Sequence, residues 1–267
     1  MISTKKRRSD NMKWVKKKNK IAAQEAAAAA ETAAADVIAL KAVPAKKVQE
    51  PAVVKKYTLD LNKCIWIFTI GSLFGYILET LWYFSQRGYW LNRQGMVYGP
   101  FSQIYGFGAV IICLCLNWLQ GKNSTYTFLG SAVLGSSFEY LASVFQEKVF
   151  GVVSWNYSNQ AWNLNGRISL SMAFIWGIAG MLFMKHTYPW MMEQLEKIPK
   201  KIGVILARCL LVFFIFDLSL SSAALYRQME RREGVPANNI VREFLDEHFD
   251  DERLDSIYTT AKPVPRK

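Results

Sequence analysis

The sequence is poor in the side chains that most often build metal centres and disulfide frameworks. Its 267 residues include 2 histidines, His186 and His248, which lie far apart in the chain and disfavour a histidine-rich metal site. All 4 cysteines fall inside apolar runs, where buried thiols are more common than disulfides. No phosphate-binding loop is present, because "GKNS" at 121–124 lacks the preceding strand and the glycine spacing. We therefore expect no metal, no cofactor and no ATP hydrolysis or other enzyme activity by this chain alone.

A cleavable signal peptide is also missing from the N-terminal region. The first 20 residues, "MISTKKRRSDNMKWVKKKNK", are positively charged but no apolar core follows them. Residues 1–57 are predicted to be a disordered, basic, alanine-rich tail, with a fluctuating helix or spacer over Ala22–Asp36. A docking helix for a partner is the alternative for that stretch. The basic cluster Lys5–Lys20 is expected to bind anionic lipid, and no nucleic-acid partner is expected.

Apolar runs of membrane length are concentrated in residues 58–226. A helix needs about 20 mostly apolar residues to cross the hydrocarbon core of a bilayer. The predicted spans lie near 64–84, 101–119, 126–145, 168–184 and 202–226. The predicted fold class is therefore an all-α membrane protein with a five-helix transmembrane bundle. A polar loop helix at the membrane interface is predicted over 188–201, and residues 227–267 are predicted to form an amphipathic C-terminal tail whose helix is capped by Asn239.

The distribution of lysine and arginine predicts a multi-pass protein of the cell membrane with a cytoplasmic N-terminus. The flank before the first span and the loop between spans four and five are the most basic segments, and such segments stay in the cytoplasm. Five spans would then place the C-terminus outside. Arg227, Arg231 and Arg232 oppose this topology because they directly follow the last span. A re-entrant last span or a miscounted span would instead leave the C-terminal tail in the cytoplasm.

Two segments share a pattern that indicates two copies of one helical hairpin. In each first span a glycine precedes a glutamate with three residues between them, each outer loop holds Trp, Asn and Arg, and each return span begins with an aromatic-glycine step. Both copies begin on the same side, so they would form a parallel repeat about the membrane normal. Chance similarity remains the alternative, since glycine and aromatic residues are common in spans. The matching residues are Gly75, Glu79, Trp90, Asn92, Arg93, Tyr105 and Gly106 in the first copy and Gly135, Glu139, Trp162, Asn165, Arg167, Trp176 and Gly177 in the second.

Ionisable residues of the spans are predicted to meet near the outer face. A carboxylate inside a bilayer costs several kcal/mol, so such residues face the bundle interior and find partners. The pattern predicts the pairs Glu79–Arg93 and Glu139–Arg167, or their crossed arrangement, with Asp217 facing both glutamates. Either a polar site open to the outer face or a purely structural set of ion-pair clamps is consistent with this pattern. The supporting candidates are Asn92, Gly99, Pro100 as the first residue of the second span's helix, Tyr105, Asn165 and Gly166.

The two loops together resemble one known family. "NRQGMVYGPFSQIYGFGAV" and "NLNGRIS" are similar to motifs of the bacterial putative ABC-transporter type IV family, and the resemblance covers about Leu61 to Tyr226. One departure is Gln94, which stands between Arg93 and Gly95. The resemblance implies a permease-like transport component in the lipid bilayer that works with a separate ATPase subunit, and it implies no substrate. A non-catalytic membrane scaffold or assembly factor is the first alternative, and an enzyme acting on a lipid or cell-wall precursor is the second.

Overall fold

The computed structural model describes residues 20–21, 23–29, 31–32 and 56–264, in two separate units. The described residues of the first unit, Met1–Val53, are helical, as the propensity of alanine predicts. The remainder of the predicted basic tail, including most of the Lys5–Lys20 cluster, lies outside the described residues. All further elements belong to the second unit, Val54–Lys267.

Helices dominate the second unit, which makes this an all-α protein. They are α1 (Leu61–Arg87), α2 (Gln103–Leu116) with a 3₁₀ turn at Asn117–Leu119, α3 (Ser124–Phe150), α4 (Leu170–Leu182), α5 (Tyr188–Lys197), α6 (Lys200–Arg232), α7 (Ile240–His248) and α8 (Asp251–Ile257). Within the described part of the chain, α1, α3 and α6 are long and apolar enough to cross a membrane, and Gln103–Leu119 is a shorter apolar helix. Many large apolar side chains on these helices face outward, as lipid-facing residues do.

A wide helical turn joins α4 to α5, where the sequence predicts a span followed by a separate interface helix. Residues Phe183–Thr187 form a π-helical turn, and Pro189 follows in the first turn of α5. Proline has no backbone N–H and clashes with the carbonyl four residues earlier, and a π turn accommodates both effects. Met191 and Met192 are buried, whereas Trp190, which was expected on the same apolar face, is 56% exposed. The buried face of α5 is therefore narrower than predicted.

The C-terminal tail contains two short helices where one was predicted. Asn239 caps α7 as predicted, since its side chain accepts a hydrogen bond from the Arg242 N–H at 2.9 Å. The chain then turns after Phe249, and Asp250 caps α8 in the same manner, which the prediction missed. Of the predicted apolar face, Leu245 and Phe249 are buried, whereas Ile240 and Phe244 are exposed.

Two pairs of short antiparallel strands lie in the loops at one end of the bundle. β1 (Val152–Val153) follows α3, and it pairs antiparallel with β4 (Lys262–Pro263) of the tail. β2 (Asn163–Leu164) and β3 (Ile168–Ser169) form a hairpin directly before α4. The tail is therefore fastened to the loop between α3 and α4 through the backbone.

Contacts between the connecting segments show which helix ends lie together at each end of the bundle. At one end, Tyr57 before α1 accepts a hydrogen bond from Asn117 after α2, and Asn117 accepts one from Tyr188 at the start of α5. At the other end, Asn92 between α1 and α2 bonds to Ser256 of the tail that follows α6. The helix ends therefore alternate along the chain, so that the tail lies with the α1–α2 and α3–α4 loops.

Aromatic packing holds α6 against the first hairpin. Phe68 of α1 lies 4.9 Å from Phe214 of α6, measured between ring centroids, and Phe101 before α2 lies 5.1 Å from the same ring. Edge-to-face contacts of this kind contribute beyond the area that they bury. This cluster positions α6 beside the loop that carries Arg93.

Candidate functional site

The predicted pair Glu79–Arg93 is present. The Arg93 guanidinium donates to the Glu79 carboxylate 14 residues earlier, and both side chains are mostly buried, at 11% and 19% exposure. Arg93 also donates to the hydroxyl of Thr260 at 2.6 Å and stacks over the Tyr83 ring, with the guanidinium carbon 4.4 Å from the centroid. Three different groups therefore hold this arginine in place.

The predicted pair Glu139–Arg167 is absent, both directly and in the crossed form. Glu139 is 5% exposed and accepts hydrogen bonds from the Tyr157 hydroxyl at 2.7 Å and from the Trp176 indole N–H at 2.8 Å. In the described part of the chain, Glu139 forms no ion pair. A carboxylate held by two neutral donors replaces the expected salt bridge.

Arg167 pairs with a different acid farther along α3. Its guanidinium donates to Glu147, 20 residues earlier, and to the hydroxyl of Ser143 at 3.0 Å. The matching position in α1 is Arg87, a cation that cannot serve as such a partner. The prediction was wrong because Glu147 was assigned to the loop after the span, whereas α3 continues to Phe150.

A cleft of about 1180 Å³ lies between the two hairpins and is bounded by α6 and by tail residues 257–261. Glu79, Arg93 and Glu139 all line it, and Tyr105 is close enough to interact electrostatically with each of them. Tyr157, in the loop after α3, has a raised pKa because it is buried and because Glu139 lies beside it. The structure thus brings three of the five predicted charges into one cavity, and Arg167 and Asp217 are outside it.

Asp217 binds a loop and does not line the cleft, contrary to the prediction that it faces both glutamates. It is fully buried, and it accepts hydrogen bonds from the Tyr98 N–H at 3.2 Å and from the Ser221 hydroxyl at 3.3 Å. Ser221 in turn accepts a hydrogen bond from the Val97 N–H at 2.9 Å. Backbone donors of the first outer loop lie near this face of α6, so Asp217 fastens that loop to the bundle.

Among the supporting residues of the first hairpin, Pro100 does not have the expected position. Gly99 has a φ of 74°, which suits glycine, but Pro100 does not begin the helix, because Ser102 is the residue before α2. Asn92 orders the loop by accepting a hydrogen bond from the Gln94 N–H at 3.1 Å. Tyr105 packs on Gly75, where an added Cβ would lie 2.2 Å from its ring.

Asn165 and Gly166 form the tight turn of the β2–β3 hairpin. Both have positive φ angles, 55° and 67°, and the Arg167 N–H bonds to the Leu164 carbonyl at 3.0 Å across the turn. An Asn-Gly pair is the commonest sequence for such a turn. The hairpin was not predicted, although "LNGR" carries its signal. Asn165 also donates to the Tyr140 hydroxyl at 3.1 Å, which links the turn to α3.

Tail residues 257–261 line the cleft, a placement that was not predicted from the sequence. Thr259 donates to the Asn92 carbonyl at 2.7 Å and Thr260 accepts from Arg93, so both contact the first hairpin. Strand β4 then pairs with β1 beside the second hairpin, and the Val264 N–H bonds to the Gly151 carbonyl at 2.9 Å. The tail therefore ties the two outer loops together.

Ion pairs anchor this tail to the end of α6. Arg227, which is 2% exposed, and Arg231 both donate to Asp246 of α7, and the two guanidinium groups lower the pKa of Asp246 to about 2. Arg242 of α7 reaches back to Glu230 of α6. These contacts require the ordered tail, since their partners lie 12 to 19 residues apart in the chain.

Comparison with known proteins gives one result. No curated protein and no solved structure matches the chain significantly. The family model described as "Putative ABC-transporter type IV" matches residues 66–222, which contain most of the first hairpin, the whole of the second and most of α6. Because this match covers more than half of the chain, the protein belongs to the Putative ABC-transporter type IV family of membrane proteins.

Proposed function

We propose that this chain is the multi-pass, membrane-spanning component of a transporter, and that the cleft between its two hairpins is the transport site. The observation that carries the proposal is the cleft itself, where Glu79, Arg93 and Glu139 converge from two hairpins. Ionisable residues in a membrane domain are expensive and typically mark a pathway. Family membership supports a transport role and leaves the site open.

The transmembrane topology that we propose has five crossings, made by α1, α2, α3, α4 and α6. The alternation of helix ends supports it, because the tail contacts the loops of both hairpins. Helix α2 with its 3₁₀ turn, Gln103–Leu119, has about the minimum length that spans a bilayer.

The arginines that opposed this topology are compatible with a C-terminus outside. Arg227 and Arg231 form ion pairs with Asp246, and Arg232 lies 3.6 Å from Asp255. The positive-inside rule counts Lys and Arg and not net charge, so these ion pairs do not remove the preference of the arginines, and the rest of the chain has to outweigh it. The basic loop between α4 and α6 and the basic N-terminal region favour a cytoplasmic N-terminus.

Energy for transport would come from a separate ATPase subunit, because the chain has no phosphate-binding loop of its own. The face that carries Lys122, Lys185, Lys197, Lys200 and Lys201 is where we expect that subunit to bind.

The decisive experiment combines purification with a complementation assay. The full chain, isolated from its native membrane, should co-purify with a separate ATPase subunit. Membranes from a strain in which the chain is deleted should lack that ATPase activity. Glu79→Gln and Glu139→Gln should insert normally and fail to complement a deletion strain. Full complementation by both folded variants, without associated ATPase activity, would favour a scaffold; turnover of a lipid or cell-wall precursor without ATP would favour an enzyme.

A further inference from the structure

The charge of the cleft favours one class of ligand. Among the residues that line it, the charged side chains are Glu79, Arg93 and Glu139. The first two neutralise each other in a buried ion pair. The lining therefore has one acidic group in excess, and it is Glu139.

Arg93 is poorly available to an anionic ligand. Its guanidinium is already committed to Glu79, to the Thr260 hydroxyl and to the face of Tyr83. Its Nε–H has no partner but is buried, so an incoming phosphate or carboxylate would still have to displace at least one of these groups. It would also have to approach within the field of Glu139, which has no compensating cation in the described part of the chain.

Aromatic rings contact the acid and line the cleft that holds it. Tyr157 and Trp176 donate directly to Glu139, and Tyr105 lies within electrostatic reach. Phe138 and Trp155 line the same cleft. The face of an aromatic ring carries partial negative charge and attracts cations, most strongly in a site that excludes water. A carboxylate beside such rings suits an ammonium or other organic cation that also has an apolar part.

We propose that the cleft binds an organic cation, with the Glu139 carboxylate as its counter-ion and the aromatic rings of the lining as its walls. This inference rests on the proposed transport site and names the chemical class of its ligand. Tyr157 and Trp176 position Glu139 through their hydrogen bonds and leave its remaining acceptor capacity for the ligand.

The test uses the purified full-length protein in lipid nanodiscs and three probes that share one ring. Benzyltrimethylammonium is the cation, benzenesulfonate the anion and benzyl alcohol the neutral control, and binding is measured by isothermal titration calorimetry. We expect saturable binding of the cation alone. Glu139→Gln should weaken it at least about tenfold, as loss of a hydrogen bond or contact to a charged group does.

Two variants separate a ligand contact from a structural effect. Glu147→Gln removes an acid that lies on the same helix as Glu139 but does not line the cleft. This variant should bind the cation with the affinity of the unmodified protein. Glu139→Asp keeps the charge on a shorter side chain and should retain weakened binding. Equal binding of cation and anion, cation affinity unchanged in Glu139→Gln, or no saturable binding would each overturn the proposal.

The failure of this inference can be told apart from the failure of the transport proposal. If the cation does not bind while Glu139→Gln still fails to complement a deletion strain, the cleft remains the transport site and the ligand belongs to another class. If Glu139→Gln complements fully, the transport site itself is wrong, whatever the cleft binds.

Discussion

The two hairpins share their helix contacts and differ in their ion pairs. In each, a glycine four positions before the glutamate receives an aromatic ring from the return helix: Tyr105 against Gly75, and Trp176 against Gly135. One turn away, small residues also meet at matching positions, with Gly71 against Ala109 in the first hairpin and Ser131 against Gly180 in the second. Helix packing in the bilayer therefore follows the repeat, since it depends on small residues that allow close approach.

The charges do not follow the repeat because they depend on the loops. Arg93 lies in the α1–α2 loop, which is hydrogen-bonded to α6 and to the tail, and in this position it pairs with Glu79. Arg167 follows a β-hairpin and meets Glu147 near the end of α3. Glu139 is thereby left with neutral partners. Two copies of one sequence pattern consequently have a neutralised acid in one hairpin and an unpaired acid in the other.

The largest expected effect is loss of the Glu79–Arg93 pair. Arg93→Met leaves a mostly buried carboxylate without its cation, which should lower the free energy of unfolding by an amount approaching the roughly 3–5 kcal/mol typical of buried pairs. Denaturant titration in mixed micelles measures it. The double variant Arg93→Met/Glu79→Met should recover much of the loss, and additive effects of the two single changes would contradict a direct coupling.

Substitution of the paired glycines tests the similarity of the hairpins. An added Cβ would lie 2.2 Å from the Tyr105 ring at Gly75 and 2.6 Å from the Trp176 ring at Gly135. Gly75→Ala and Gly135→Ala should each lower the free energy of unfolding by about 1–3 kcal/mol, the usual effect of overpacking. Gly88→Asn, at a helix end with open space around it, serves as a control. Very different losses at the two glycines would argue against equivalent packing.

Removal of the second arginine should have a smaller effect. Glu147 and Arg167 are 30% and 17% exposed, so their pair is closer to the surface than Glu79–Arg93. Arg167→Met is expected to lower the free energy of unfolding by about 1 kcal/mol, the upper end for exposed pairs, because both side chains are only partly exposed. The same micelle titration measures it, and a loss as large as that of Arg93→Met would remove the contrast between the hairpins.

The smallest effect on stability is expected at Glu139. Glutamine has the same shape, its carbonyl can accept from Tyr157 or Trp176, and no ion pair is broken. Glu139→Gln should therefore change the free energy of unfolding by less than about 1 kcal/mol, in contrast to Arg93→Met. Thermal unfolding of the purified variant decides the matter, and a severe loss would mean that Glu139 is a structural residue.

Much of the fold could be predicted because bilayer physics acts locally. Hydropathy located the apolar helices, and α1, α3 and α6 contain three of the predicted spans. The cap at Asn239 was readable for the same reason, since a helix start depends on a few adjacent residues. The π turn before Pro189 and the second tail helix were not predicted. Both have local causes, which are the proline itself and the cap at Asp250.

The sequence by itself determined that this is a helical membrane protein with acids inside its bundle and two hairpins of similar construction. Only the tertiary structure decided which charges meet. Ion pairing depends on where each loop ends in space, so Arg93 finds Glu79, Arg167 finds Glu147, and Asp217 binds loop backbone. The tail that lines the cleft is likewise a tertiary feature, because Thr260 lies 167 residues from Arg93 in the chain and no local pattern links them.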